Sequence, residues 1–167
     1  MSLLHKDRLL PQTEAALNLA RDLYHHIYKL PIISPHGHCE SAWFSKNERF
    51  PDPTQLFIIP DHYIFRMLVS QGSTLCELGV KTVNDHSFEK DPRKIWKKFS
   101  DCYHLFRGTP TALWLDYSFE KVFGFSESLT SENSDFYFNQ IEEKLSQPAF
   151  LPRALFDKFN IEVLSTT

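Results

Sequence analysis

A chain of 167 residues, 42% hydrophobic and 23% charged, is long enough to bury one core and polar enough to remain in water. Its 18 basic and 21 acidic residues are interspersed and give a formal charge of -3, so no basic stripe tracks phosphates and a nucleic-acid partner is disfavoured. Aromatics reach 14%, yet no apolar run is long enough to cross a bilayer and no signal peptide is visible. The three cysteines lack a C-x-x-C pair, which argues against a disulfide framework or a zinc knuckle and fits a reducing cytoplasm.

In chain order, residues 13–29 carry Ala16, Leu17, Ala20, Leu23, Tyr24 and Ile27 at helical spacing between Pro11 and Pro31, which predicts an amphipathic helix. Residues 30–34 are too short for a helix and rich in Ile, and Pro31 and Pro35 punctuate them. They read as a short buried strand. From Ser41 to about Ser146 the pattern is helical, with helices expected over 61–70, 92–105, 110–123 and 131–145. Asp91-Pro92 and Thr109-Pro110 mark starts, each a capping side chain followed by proline at the first helical position. A short helix over 153–159 leads into Ile161-Glu162-Val163-Leu164, a second strand. The chain is thus mainly α with two short β-strands. Two short strands do not make an independently stable sheet. As parallel neighbours joined by an oversized helical crossover, they would open a larger βα fold.

Immediately after the first strand stands Pro35-His36-Gly37-His38. Alternate residues of an extended segment project to one side, so His36 and His38 can grip one metal ion. The carboxyl end of a strand is also where active sites of parallel α/β folds collect. A bare His-x-His is a weak motif, and surface or loop histidines are its bland account. A catalytic zinc takes three protein ligands, and His62, His86 and His104 are candidate thirds that no spacing selects. Cys39 beside the pair reads as a small buried hydrophobe ahead of a nucleophile or ligand.

The second constellation is Pro60-Asp61-His62-Tyr63-Ile64-Phe65-Arg66 at a helix start. Asp61 caps the helix, and the bland account leaves the others as surface residues. His62 and Arg66 are four apart and Tyr63 and Arg66 three apart, so each pair shares a face. Arg takes a carboxylate in bidentate fashion and Tyr can shuttle a proton. Beside a metal, these residues would make a site for an anionic, hydroxylated small molecule.

Three stretches resemble the uronate (glucuronate) isomerase family, an outlying branch of the amidohydrolase superfamily. Leu30-Pro31-Ile32-Ile33-Ser34-Pro35-His36-Gly37-His38 is similar to its strand-1 metal motif, and Pro60-Asp61-His62-Tyr63-Ile64-Phe65-Arg66-Met67-Leu68 to its Asp-His-Tyr motif. Residues 153–167 resemble the approach to barrel strand 2. Leu105-Phe106-Arg107-Gly108-Thr109-Pro110 agrees as well.

The resemblance implies the N-terminal fragment of a (β/α)8 TIM barrel with a large helical insertion. Residues 1–40 would supply the first helix and strand 1, 41–150 the insertion, and 151–167 a helix and the start of strand 2. It further implies a cytoplasmic aldose–ketose isomerase of hexuronate catabolism, interconverting D-glucuronate with D-fructuronate and D-galacturonate with D-tagaturonate. Its divalent metal, zinc by resemblance, would be held by His36 and His38 and stabilise the charge of an enediol-like intermediate. Tyr63 would be the catalytic acid/base and His62 a substrate contact. Arg66 as a carboxylate contact follows from charge and spacing alone, with a structural ion pair as its alternative. His104 and Arg107 are assigned packing roles. A complete barrel needs about 250 residues, so this chain by itself is expected to be inactive, with apolar strand surface exposed and self-association, and so a homo-oligomer, as the consequence. The competing classes are a helical interaction module with an incidental histidine pair, which predicts closed packing and diverging rings, and a metal-dependent hydrolase of the same superfamily.

Overall fold

The computed structural model describes residues 3–83 and 87–166. In chain order they form helix α1 (Glu14–Ile27), strand β1 (Ile32–Ser34), helices α2 (Ser41–Lys46), α3 (Pro53–Phe57), α4 (His62–Ser70), α5 (Pro92–Asp101), α6 (Pro110–Tyr117), α7 (Ser134–Leu145) and α8 (Pro152–Lys158), and strand β2 (Ile161–Leu164). The expected character, mainly helical with two short strands, is what is found. The chain divides into two compact units, one of residues 1–4 and 50–147 and one of 5–49 and 148–167.

The larger unit is helical, and its starts are written in the sequence. Asp52, Asp61, Asp91 and Thr109 each accept a hydrogen bond from a backbone N–H of the first turn, and α3, α5 and α6 carry proline at the start. The abundant Phe residues fill its core. Trp96, Phe99, Phe106, Phe119, Tyr137 and Phe138 are almost wholly buried, Phe119 meets Tyr137 edge-on at 5.2 Å, and Phe125 stacks on Tyr137 at 3.7 Å. Buried polar atoms are paired within this core: Trp96 Nε1 donates to the Ser134 carbonyl at 3.0 Å, and Ser134 Oγ donates to Ser100 Oγ at 3.0 Å.

Two expected helices end early. The segment 92–105 stops being α-helical at Asp101 and continues as a 3₁₀ turn, Tyr103–Phe106. Side chains three apart eclipse in that tighter winding, which turns Tyr103 and Phe106 together into the core, at 7% and 2% exposure. The segment 110–123 leaves α geometry at Tyr117 and widens into a π turn, Ser118–Val122, that buries Phe119.

In the smaller unit β1 and β2 pair in parallel, as expected, with Ile32 opposite Ile161, Ile33 opposite Val163 and Ser34 opposite Leu164. Asn160, in the left-handed region at φ 52°, turns the chain from α8 into β2, and its carbonyl accepts from Ile32 N–H at 2.8 Å. Arg153 donates to the carbonyls of Phe44 and Ser45 at 2.7 and 3.0 Å, tying α8 to the last turn of α2.

The expectation of a buried first strand is corrected. Ile32 and Ile33 are 49% and 63% exposed, because the strand has one paired neighbour among the described residues and its faces carry little cover. Val163 of β2 is likewise exposed, as are Leu19, Leu23, Tyr24 and Ile27 of α1, so the amphipathic helix forms with its apolar stripe open. No helix among the described residues is long and apolar enough to cross a membrane.

Candidate functional site

Beyond the end of β1, Ser34 Oγ donates to the His36 carbonyl at 2.9 Å and the Ser34 carbonyl accepts from Ser165 N–H at 2.9 Å, so the strand exit is held to the end of β2. Gly37 lets the two segments approach closely. A Cβ there would lie 3.0 Å from the Ser165 carbonyl oxygen and 3.2 Å from a Leu164 methyl carbon. On either side of it the imidazoles turn toward each other, with ring centres 4.9 Å apart, planes at 77° and Nε2 atoms 2.9 Å apart. Two nitrogens bound to a tetrahedral zinc at about 2.0–2.1 Å stand about 3.3–3.4 Å from each other, so this donor pair fits one ion after a small opening. Both rings are exposed and open to a ligand. A group of three His, Cys, Asp or Glu able to hold a metal is absent among the described residues, so the pair offers two donors where a catalytic zinc takes three. Of the candidate third ligands, His62 and His104 join no such group, and His86 lies outside the described residues.

Cys39, next in the chain, is an unpaired thiol, and burial pushes its pKa up. A thiol held protonated by desolvation is a poor nucleophile and a poor ligand.

In the helical unit Asp61 sets the second constellation. Its carboxylate accepts from the N–H groups of Tyr63 and Ile64 at 2.8 and 3.4 Å, fixing the first turn of α4. Ile64 and Leu68 are fully buried, so His62, Tyr63 and Arg66 fall on the open face. The His62 and Tyr63 rings lie 4.2 Å apart at 33°, and the Arg66 guanidinium stands 5.5 Å from the centre of the Tyr63 ring. The spacing of three thus brings Arg66 to Tyr63. Arg66 joins no carboxylate among the described residues, so the structural ion pair weighed for it is not formed. Tyr63 is half exposed and lines a hollow of about 280 Å³ with Met67, Phe106, Thr109 and Trp114.

The packing roles assigned to His104 and Arg107 are corrected. Both side chains are exposed, because the 3₁₀ turn that sends Tyr103 and Phe106 inward places the residues one further along on the outside. They line a second hollow together with Asp116, a residue that sequence reasoning passed over. Its only advance signal was its place in an aromatic helix, where a carboxylate needs a partner. That partner is Tyr103, whose hydroxyl donates to Asp116 at 2.7 Å. Burial holds the Asp116 carboxyl above its usual range, and burial followed by the adjacent carboxylate raises the Tyr103 phenol.

Neither signature of a closed interaction module is present: the histidine rings converge, and the two-stranded sheet leaves both outer edges without a strand partner among the described residues.

The family model for glucuronate isomerase matches residues 1–167, the whole chain. Uronate isomerases of Rhizobium meliloti and Phenylobacterium zucineum are 50% and 51% identical to it, over 99% and 98% of this chain but 35% and 34% of their own length. The crystal structure of glucuronate isomerase from Caulobacter crescentus superposes with a TM-score of 0.91 at 49% identity, covering 98% of this chain and 34% of that one. That of a uronate isomerase from Thermotoga maritima gives 0.79 at 22% identity, a likeness of fold alone. This chain therefore spans about a third of the length of the relatives it matches, and by a match that runs from its first residue to its last it belongs to the glucuronate isomerase family.

Proposed function

We propose that the full-length protein carrying this chain is a uronate isomerase, with this chain as its N-terminal portion. It interconverts D-glucuronate with D-fructuronate, and D-galacturonate with D-tagaturonate, by moving one proton between C1 and C2 of the sugar acid and a second between their oxygens. The observation that carries this reading is the family match over residues 1–167, with half of all positions identical to proteins named uronate isomerase.

In this reading β1 and β2 are the first two strands of a (β/α)8 barrel, and the helical unit is an insertion between them; their parallel, adjacent pairing supports it. His36 and His38 hold a divalent metal, zinc on the chemistry of two imidazoles, together with ligands from elsewhere in the protein. When bound, such an ion supplies Lewis-acid polarisation to substrate oxygens. Tyr63 passes the proton. Its hydroxyl has no hydrogen-bond partner among the described residues, and the ring is steadied by its contacts with the His62 ring and the Arg66 guanidinium. Arg66, without an acidic partner among the described residues, is available to the substrate carboxylate, and His62 to a substrate hydroxyl. The three unpaired cysteines support a cytoplasmic setting.

The test is an assay of the full-length protein on D-glucuronate and D-galacturonate beside amide and lactone substrates. Turnover of the uronates alone is the expected result. Hydrolysis of the amides or lactones without uronate turnover would replace the isomerase with a metal-dependent hydrolase.

A further inference from the structure

In the helical unit, the outward face of the 103–106 turn opens on a hollow of about 380 Å³, within the range of about 300–1,000 Å³ usual for small-molecule sites. Tyr103 is buried in its lining, Asp116 half-buried, and His104, Arg107 and Thr130 are exposed around it. Opposite charges share this hollow without neutralising each other. Among the described residues no ion pair joins Arg107 or His104 to Asp116 or to any other carboxylate. Among the described residues Asp116 accepts one hydrogen bond, from Tyr103 at 2.7 Å, and keeps further acceptor capacity. Gly108, at φ +79°, has open space where a Cβ would stand, so the turn leaves the mouth clear.

A guanidinium and an imidazole suit an anion, whereas a carboxylate suits hydroxyl donors and repels a second anion. A ligand matching both ends must carry the two functions on one small frame. We propose that this hollow is a second small-molecule site that takes a hydroxylated carboxylate, with Arg107 and His104 donating to its carboxylate and Asp116 accepting from its hydroxyls. The choice of a sugar acid as that ligand rests on the isomerase reading above; the arrangement of charges does not. Tyr63, the acid/base of the isomerase reading, does not line this hollow, which shares only Thr109 with the hollow at Tyr63, so in that reading this site binds without converting. Its ligand is therefore substrate or product held outside the reacting centre. A neutral sugar lacks the group for Arg107, and inorganic phosphate lacks the hydroxyl frame for Asp116.

The test is nuclear magnetic resonance of the full-length protein labelled at the histidine rings, with the His104 signal assigned by its loss in His104→Gln. D-glucuronate, D-glucose and inorganic phosphate are titrated separately. The expected result is a saturable shift of the His104 signal with D-glucuronate and little response to the other two, with affinity lowered at least about tenfold in Arg107→Ala and in Asp116→Asn. Asparagine can still accept from Tyr103, so the second variant keeps the local fold and decides the matter if the first does not fold. No response to D-glucuronate, an equal response to glucose or phosphate, or full affinity in a folded variant would overturn the proposal. Lack of uronate turnover would overturn the isomerase reading alone, because the His104 shift is an equilibrium readout that needs no catalysis.

Discussion

His36 and His38 were legible in the sequence because the physics that aligns them is local: an extended segment, one intervening residue, and a glycine that tolerates the close approach of β2. If the pair holds a metal, replacing either imidazole leaves a set one donor short. His36→Ala and His38→Ala are each expected to lower the metal content of the purified full-length protein, measured by mass spectrometry of the metal. Undiminished content in both would remove them from the ligand set. Asp116 was not legible, since its surroundings come from Tyr103 and the turn that buries it. Its carboxyl sits above the usual range, so the folded state disfavours ionisation, and stability falls as pH rises through the ordinary carboxylate range toward the raised folded value. Asp116→Asn is therefore expected to melt higher than the parent at about pH 7 and alike at about pH 3. A variant that melts lower at the higher pH would show the Tyr103 bond outweighing the burial of charge.

Helices whose ends are marked by a capping side chain and a proline were readable, as α5 and α6 show. The Asp52-Pro53 start of α3 carries the same mark and went unread because five residues are too few to display a helical period. The 3₁₀ and π turns at 103–106 and 118–122 were missed for a different reason. Both follow helices without a proline or glycine break, and what ends the α geometry is the burial of Tyr103, Phe106 and Phe119 in a shared aromatic core. His104 and Arg107, expected to pack, stand exposed at the first of these turns. Helix α2 is six residues long and depends on a partner distant in sequence, Arg153. Arg153→Ala is expected to cost about 1 kcal/mol, below the usual range for charge-assisted bonds because the site is exposed, and to speed amide exchange over residues 43–47. Unchanged exchange there would mean that α2 is held by its Phe44–Phe156 contact.

The smaller unit leaves Leu19, Leu23 and Ile27 of α1 and Ile32 and Ile33 of β1 open, whereas the larger unit closes over its own aromatic core. Exposed apolar surface beside an unpaired strand edge favours association, so residues 1–167 expressed alone are expected to self-associate with rising concentration in analytical ultracentrifugation and to show no uronate turnover. A monomer at all concentrations would mean that this surface is self-sufficient. The family was legible across the whole chain because its motifs keep order and spacing as well as identity. The completing ligands were not legible because, in the reading proposed, they lie in the two-thirds of the relatives' length that this chain does not span. The claim tested most directly is that Tyr63 moves the proton. In the full-length protein Tyr63→Phe keeps the ring that meets His62 and Arg66 and removes only the hydroxyl. The measurement is kcat for D-glucuronate isomerisation: a fall of about 10²–10⁴ with KM little changed is the predicted result, and an unchanged kcat in a folded, metal-loaded variant would contradict it.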